Sequence, residues 1–121
     1  MKVEDLMVGD WVYITDHPMK KEVKQVKPEH FLRSLVVFEP IPLTPEILKK
    51  NGILYEKQSY YYVIEDDKDL ECTYYIQQVQ GYWTIGVDIG AYDCSVFARI
   101  KYVHQLQHAL KLCEIEKEII I

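Results

Sequence analysis

The chain lacks the features that mark membrane and exported proteins. None of its 121 residues lies in an apolar run of the roughly 18 residues that a membrane-spanning helix needs. Acidic residues interrupt the opening MKVEDLMVGD, where a signal peptide would carry an unbroken apolar stretch. We therefore expect a cytoplasmic protein with no membrane partner.

Cysteine is scarce and poorly spaced for cross-linking or zinc binding. Cys72, Cys94 and Cys113 are odd in number, lie far apart and include no Cys-x-x-Cys pair. This pattern argues against a disulfide framework and against a thiolate zinc site. We expect buried thiols, and no motif calls for a cofactor.

Positive charge is also in short supply. The 14 Lys and Arg residues are outnumbered by 19 Asp and Glu residues, which gives a formal net charge of -5. A chain of this charge repels a phosphate backbone as a whole, so binding to nucleic acid would need a local basic patch.

The composition is that of an ordinary globular domain. Hydrophobic residues make up 49% of the chain, and a chain of this length buries roughly two-thirds of its unfolded surface. No repeat, linker or low-complexity segment divides it. We therefore predict a single domain over residues 1–121.

Runs of β-branched and aromatic residues predict most of a sheet. A strand over residues 11–15 follows a Gly9-Asp10 turn, and a second strand within residues 19–27 completes a hairpin. The apolar run 34–39 predicts a strand inside a sheet. Further strands are predicted within residues 59–65, 70–80, 82–89 and 95–100. In residues 82–89 apolar and polar side chains alternate, which predicts one covered face; the apolar set is Trp83, Ile85, Val87 and Ile89.

Two segments predict helices. In LTPEILKKNG, Thr44 suits the N-cap, Pro45 the first helical position, and Asn51-Gly52 the end, so a short connector helix is expected. The segment 102–113 has an apolar arc of about 120°, typical of a helix that covers a sheet. We expect this helix to end near Glu114 and residues 116–121 to form a terminal strand.

Together these elements predict an α+β protein. The expected architecture is a curved, mostly antiparallel sheet or a partly open small barrel, with a short connector helix and a C-terminal helix packed on the sheet.

Three phrases resemble those of a known family. DLMVGDWVY, EPIPLTPEILKKNG and YVHQLQHALKLC are similar to segments of a family of short bacterial proteins that occur in gut anaerobes, often near mobile elements or prophage. This resemblance covers most of the chain and implies no activity. The spacing Leu6-x-x-Gly9-Asp10-x-Val12 also resembles the opening of SH3-like small barrels, which implies a nucleic-acid-binding or protein-binding module.

The predicted C-terminal helix carries two histidines four residues apart. His104 and His108 lie opposite the apolar arc, so we expect them to be exposed. Imidazoles at this spacing can bind zinc, but a third ligand is required, for which Asp88 and Asp93 are the candidates. A histidine base would in turn need a nucleophile, and none is placed beside it. The face is therefore either solvated or a surface for a partner or ligand; its residues are His104, Gln105, Gln107, His108 and Lys111.

Basic residues concentrate in the predicted first hairpin. Lysines beside aromatic rings are typical of proteins that bind single-stranded nucleic acid. Glu22 and Glu29 interrupt the run, however, and strand alternation sends the lysines to both faces, as in a sheet edge guarded by charge. The candidate nucleic-acid-binding residues are Trp11, Tyr13, Lys20, Lys21, Lys24 and Lys27, with Arg33 beyond them.

Tyrosine is unusually abundant. The chain has ten tyrosines, three of them consecutive at residues 60–62. A tyrosine-rich sheet face makes a good interface, but tyrosines also form cross-strand pairs on a half-covered sheet. Both interpretations stay open.

These observations favour a non-enzymatic module that binds an unidentified protein partner. The resemblance implies an accessory role for a mobile element. The alternatives are a nucleic-acid-binding small barrel and a metal-binding protein or small enzyme that uses His104 and His108.

Overall fold

The computed structural model describes residues 5–16, 20–32, 36–90 and 94–121. These residues form two antiparallel sheets and two α-helices, which confirms the α+β class. Of the two arrangements expected, the described strands form open sheets, and neither sheet closes into a barrel. No helix within the described ranges is long and apolar enough to span a membrane.

The smaller sheet has the strand order β2-β1-β3, and the larger has the order β4-β5-β6-β7-β8. All neighbouring strands in both sheets are antiparallel. The strands are β1 (Trp11–Asp16), β2 (Lys20–Gln25), β3 (Val37–Pro40), β4 (Leu54–Glu56), β5 (Tyr61–Asp67), β6 (Cys72–Val79), β7 (Tyr82–Asp88) and β8 (Cys94–Ile100). The helices are α1 (Pro45–Lys50) and α2 (Val103–Leu112).

The connector helix α1 forms as its local signals predict. The Thr44 hydroxyl accepts a hydrogen bond from the Ile47 N–H at 3.3 Å, and Pro45 occupies the first helical position. Leu48 is fully buried in the main core, and Ile47 packs against the same core. Because a helix this short is marginal alone, this packing holds it in place.

The main core lies between the larger sheet, α1 and α2. Ile76, Ile85 and Leu106 have almost no exposed surface at its centre. A second, smaller core lies on the other side of β1, because strand alternation sends Val12 and Ile14 there while Trp11 and Tyr13 pack against the main core. Strand β1 therefore joins the two parts of the molecule.

One strand prediction needs correction, and one strand was missed. The run 34–39 was expected inside a sheet, but β3 pairs only with β1 among the described strands, and Val37 is half exposed; residues 34 and 35 lie outside the described residues. Strand β4 was not predicted, because three residues are too few to show an alternating pattern.

The two faces of β7 also differ from the prediction. Trp83 and Ile85 are buried in the main core as expected, whereas Ile89 is exposed. Thr84 on the opposite face is buried as well. A β-bulge shifts the β7–β8 register after Ile85, but its extra residue lies on β8, so the side chains of β7 still alternate and burial on both faces comes from the surrounding structure. Both faces of the middle of β7 are therefore covered.

The C-terminal segment leaves α2 in a Schellman turn. The Ile115 N–H donates to the Leu110 carbonyl at 2.9 Å, and the Glu114 N–H donates to the Lys111 carbonyl at 3.1 Å, with Glu114 in the left-handed region at φ 57°. The predicted end of the helix is confirmed. The predicted terminal strand is wrong, since residues 115–121 form no strand, although Ile115 and Ile119 are buried.

Side chains of earlier elements hold this segment in place. The Trp11 indole Nε1–H donates to the Ile119 carbonyl at 2.6 Å. The Asn51 side chain receives the Ile120 N–H at 2.7 Å and donates to the Ile120 carbonyl at 2.9 Å. The apolar tail is thus fixed by polar contacts without joining a sheet.

Candidate functional site

Helix α2 uses the Gln105 side chain on its own N-terminus. The Gln105 side-chain oxygen accepts hydrogen bonds from the backbone N–H groups of Lys101 at 2.8 Å and Tyr102 at 3.2 Å. Such groups have no partner within the helix, so this contact stabilises its start. Gln105 therefore serves α2 itself.

Gln107 binds the turn that precedes β1. Its side-chain oxygen accepts from the Trp11 N–H at 2.8 Å, and its Nε2 donates to the Gly9 carbonyl at 3.0 Å. Gly9 has a φ of 97°, which a side chain would disfavour, and its carbonyl also accepts from the Gln25 side chain at 3.0 Å. The turn and α2 are thereby joined across nearly the whole chain.

His108 contacts the same turn through the side chain of Asp10. Its Nε2 lies 2.7 Å from Asp10 Oδ2, which also accepts from the Met7 N–H at 2.8 Å. Asp10 is 0% exposed, and the His108 side chain is 25% exposed. A buried carboxylate is costly unless it is paired, so His108 compensates for the burial of Asp10.

His104 lies inside the protein, so the prediction that it is exposed is wrong. It is 4% exposed, and its ring centre lies 5.7 Å from that of His108 and 6.0 Å from that of Tyr102. Burial, the largest effect, lowers the pKa of His104. The nearby Asp10 carboxylate raises it, but by less, so the pKa stays below its ordinary value. The prediction from the helical pattern was wrong because α2 is covered on two sides. The larger sheet covers its apolar side, and the turn before β1 covers the side that carries the histidines.

The cluster formed by Asp10, His104 and His108 contains two buried polar atoms, Asp10 Oδ1 and His104 Nδ1, that have no hydrogen-bond partner among the described residues. Within the described ranges, no group of three or more His, Cys, Asp or Glu residues is arranged to hold a metal ion. Of the proposed third ligands, Asp88 is bonded to Tyr61 on the larger sheet, and Asp93 lies outside the described residues.

The cluster also resembles two members of a hydrolytic triad, because a buried carboxylate orients a partly exposed imidazole. The missing member is a nucleophile. None of the described residues that contact His108 supplies one. Cys113 packs against the main core, and burial raises the pKa of its thiol. The arrangement therefore fastens α2 to β1. Of the residues in the predicted partner surface, Lys111 alone is exposed.

The basic residues of the first hairpin do not form a single surface. Lys21 lies 2.9 Å from Glu39 and 4.7 Å from the centre of the Tyr13 ring. Lys24 lies 2.9 Å from Glu22 and, through its pairing with Val12, belongs to the opposite face.

The remaining nucleic-acid candidates are also spread out. Trp11 is partly buried and donates to the C-terminal segment. Lys27 is exposed beyond the strand, Lys20 opens β2, and Arg33 lies outside the described residues. The hairpin matches a charged sheet edge more closely than a platform for stacked bases.

The larger sheet has an outer face with an open cavity of about 540 Å³. The rings of Tyr61 and Tyr75 stack there with centres 4.6 Å apart, and the Tyr61 hydroxyl donates to Asp88 at 2.7 Å across β6. The Asp88 carboxylate also accepts from the Gly90 N–H at 2.9 Å. The Gly90 N–H, followed by the Tyr61 hydroxyl, lowers the pKa of Asp88, so this carboxylate is ionised.

Cys94 lines the same cavity and pairs with Asp88 across β7 and β8. It is exposed, contrary to the prediction of buried thiols, and it donates a hydrogen bond that contributes to the low pKa of Asp88. Gln77 borders the cavity and donates to the Tyr60 carbonyl at 3.1 Å. Sequence reasoning noted the tyrosines but missed this site, because its members lie on four strands and the turns beside them.

Strand β8 ends the larger sheet. No described strand pairs with its outer edge. Val96 is 53% exposed and Phe97 is 47% exposed. Phe97 is the extra residue of the bulge, since Val96 pairs with Gly86 and Ala98 pairs with Ile85. The first half of β8 therefore presents backbone and apolar side chains to solvent.

Comparison of the chain with protein-family models, curated proteins and solved structures gave no match.

Proposed function

We propose that this protein is a non-enzymatic interaction module of the cytoplasm that binds an extended segment of a partner protein along the outer edge of β8. The observation that carries the proposal is the exposed, apolar first half of β8 at the end of the five-stranded sheet. An extended peptide that adds to such an edge gains backbone hydrogen bonds and contacts to alternate side chains.

The other sheet edges left by the described strands are guarded. The β2 edge carries Lys21 and Lys24, β3 has four residues and ends at Pro40, and β4 has three residues. Charge, proline and short length are the devices by which proteins prevent unwanted strand pairing. Strand β8 has seven residues and one charged side chain, Arg99, whose guanidinium lies 5.5 Å from the centre of the Tyr82 ring.

The bulge limits where a partner can pair. Phe97 interrupts the β7–β8 ladder, and the residues after it approach the buried Ile100. The backbone beyond Ile100 already bonds within the chain, since the Leu43 N–H donates to the Lys101 carbonyl at 2.9 Å. We therefore expect the added strand to pair with residues 94–97.

The test is a selection of binders from a library of random linear peptides displayed on phage. Binders of the wild-type protein are then measured against Val96→Lys, which adds a charge to the exposed edge. Leu70→Lys is the matched control, because Leu70 is an exposed apolar residue in the β5–β6 turn. Melting curves establish that both variants are folded.

We expect the selected peptides to be rich in strand-forming residues and to lose binding to Val96→Lys alone. Peptides that bind both variants as tightly as the wild type would contradict binding at β8. Selected peptides that bind at the edge of β4 would also contradict binding at β8.

The predicted surface on α2 is not part of the proposed binding site. His104 is buried, while Gln105, Gln107 and His108 bond within the protein. A role for the module in a mobile element's accessory system is supported by the family resemblance alone.

A further inference from the structure

We infer that the partner segment carries a basic side chain, lysine or arginine, which binds Asp88 in the cavity beside β8. This inference rests on the proposed strand addition and names the chemistry of the partner. It is drawn from the charge and position of the cavity.

The cavity has a negative charge and no described cationic lining. Its described residues supply one carboxylate, that of Asp88, together with amide, hydroxyl, thiol and aromatic groups; they are Gln58, Ser59, Tyr61, Tyr75, Gln77, Asp88, Gly90 and Cys94. The chain as a whole is also negatively charged, with a formal net charge of -5. A cation is therefore the complementary ligand.

The polar groups of the cavity are already oriented. The Gly90 N–H and the Tyr61 hydroxyl each donate to a different oxygen of Asp88, which fixes the plane of the carboxylate. The Gln77 Nε2 donates to the Tyr60 carbonyl, which leaves the Gln77 side-chain oxygen as a further acceptor. A preorganised set of acceptors loses little entropy when a donor binds.

The position of Asp88 suits a side chain from an added strand. Asp88 pairs with Cys94, so a partner residue opposite Cys94 would direct its side chain to the same face as both. The added strand would lie two strand spacings from β7, or about 10 Å. The long stem of a basic side chain and the arm of Asp88 together span this distance.

The Cys94 thiol also hydrogen-bonds Asp88, but it is small enough to leave a path to the carboxylate. The side chain between the added strand and Asp88 is a thiol, which is small, and Cys94 is exposed. The stem of the incoming side chain can pack over Cys94 and Val96 while its charged end reaches the carboxylate.

The same peptide selection tests this inference separately. Peptides selected on the wild type should be enriched in lysine or arginine at one position, and replacement of that residue by norleucine should weaken binding roughly tenfold. Against Asp88→Asn, which keeps acceptor capacity but removes the charge, the two peptides should bind equally. Asp69→Asn, an equal loss of charge in the β5–β6 turn, should behave as the wild type.

The outcomes distinguish the two proposals. Binders that depend on Val96 but show no basic enrichment, or whose lysine preference survives in Asp88→Asn, would overturn the inference and leave strand addition intact. If no binder depends on β8, strand addition fails. Butylammonium, which mimics the end of a lysine side chain, is then added to the protein as a probe of the cavity alone. Shifts of the Tyr61 and Gly90 amide signals in the wild type but not in Asp88→Asn would support a cation site, and their absence would overturn it.

Discussion

Replacement of His108 by alanine should destabilise the protein substantially, although the helical pattern places this residue on a polar face. Among the described residues, the change leaves Asp10 Oδ2 with the Met7 N–H as its remaining partner, and Asp10 Oδ1 has no partner even before the change. Breaking a fully buried ion pair costs ~3–5 kcal/mol. Because the His108 side chain is 25% exposed and water can approach, we expect a loss of about 2 kcal/mol.

Urea unfolding measures this loss directly. The midpoint should fall while the slope of the transition stays unchanged, since the surface exposed on unfolding is nearly the same. For a chain of this size, 2 kcal/mol corresponds to a decrease in melting temperature of roughly 8 °C. Lys111→Ala, an exposed change on the same helix, should alter the stability by less than about 0.5 kcal/mol.

A second variant separates a stranded charge from lost packing. Asp10→Asn removes the charge that His108 compensates, so Asp10→Asn/His108→Ala should be more stable than His108→Ala alone. The variant His104→Ala/His108→Ala should lose still more stability, because His104 is buried. A His108→Ala protein within about 0.5 kcal/mol of the wild type would refute the reasoning.

Three further predictions follow from single contacts. The folded pKa of His104 lies below its ordinary value of 6.5. Between these two values the unfolded chain binds more protons than the folded protein, so stability should fall as the pH decreases through this window. The urea midpoint of the wild type should therefore drop more than that of His104→Gln between about pH 7.5 and about pH 5.5. Gly86→Ala would place a Cβ 2.6 Å from the Tyr75 hydroxyl and should cost about 1–3 kcal/mol in the same assay; an unchanged midpoint would show that the outer face can relax. Trp11→Phe removes the donor to the Ile119 carbonyl and should speed amide exchange in residues 115–121, whereas unchanged exchange would mean that other contacts hold this segment.

Local signals accounted for the elements that depend on neighbouring residues. The cap, proline and stop of α1 lie within eight residues of one another, and the structure confirms them. The strands of the larger sheet, apart from β4, were predictable from their β-branched and aromatic runs.

The contacts of α2 depend on partners far away in the chain. Asp10 and His108 are 98 residues apart. A helical pattern shows which side of a helix is apolar, but it does not show that a turn will cover the polar side as well. His104, Gln107 and His108 were therefore identified as notable residues and assigned to the wrong environment.

The order of strands is equally hidden in the sequence. Residues 95–100 were predicted as a strand, but nothing in SVFARI shows that it ends the sheet. The outer-face cavity depends on that order, since it brings Tyr61 of β5 to Asp88 of β7. The proposed binding edge thus became visible only in the fold.

The most direct test of the account is a map of backbone amide shifts when the ¹⁵N-labelled protein binds a selected peptide. The account predicts that the largest changes fall in residues 94–97 and at Gly90 beside Asp88, with α2 nearly unaffected. Changes concentrated at Gln105, His108 and Lys111, with β8 unperturbed, would contradict it and return the interaction surface to the helix.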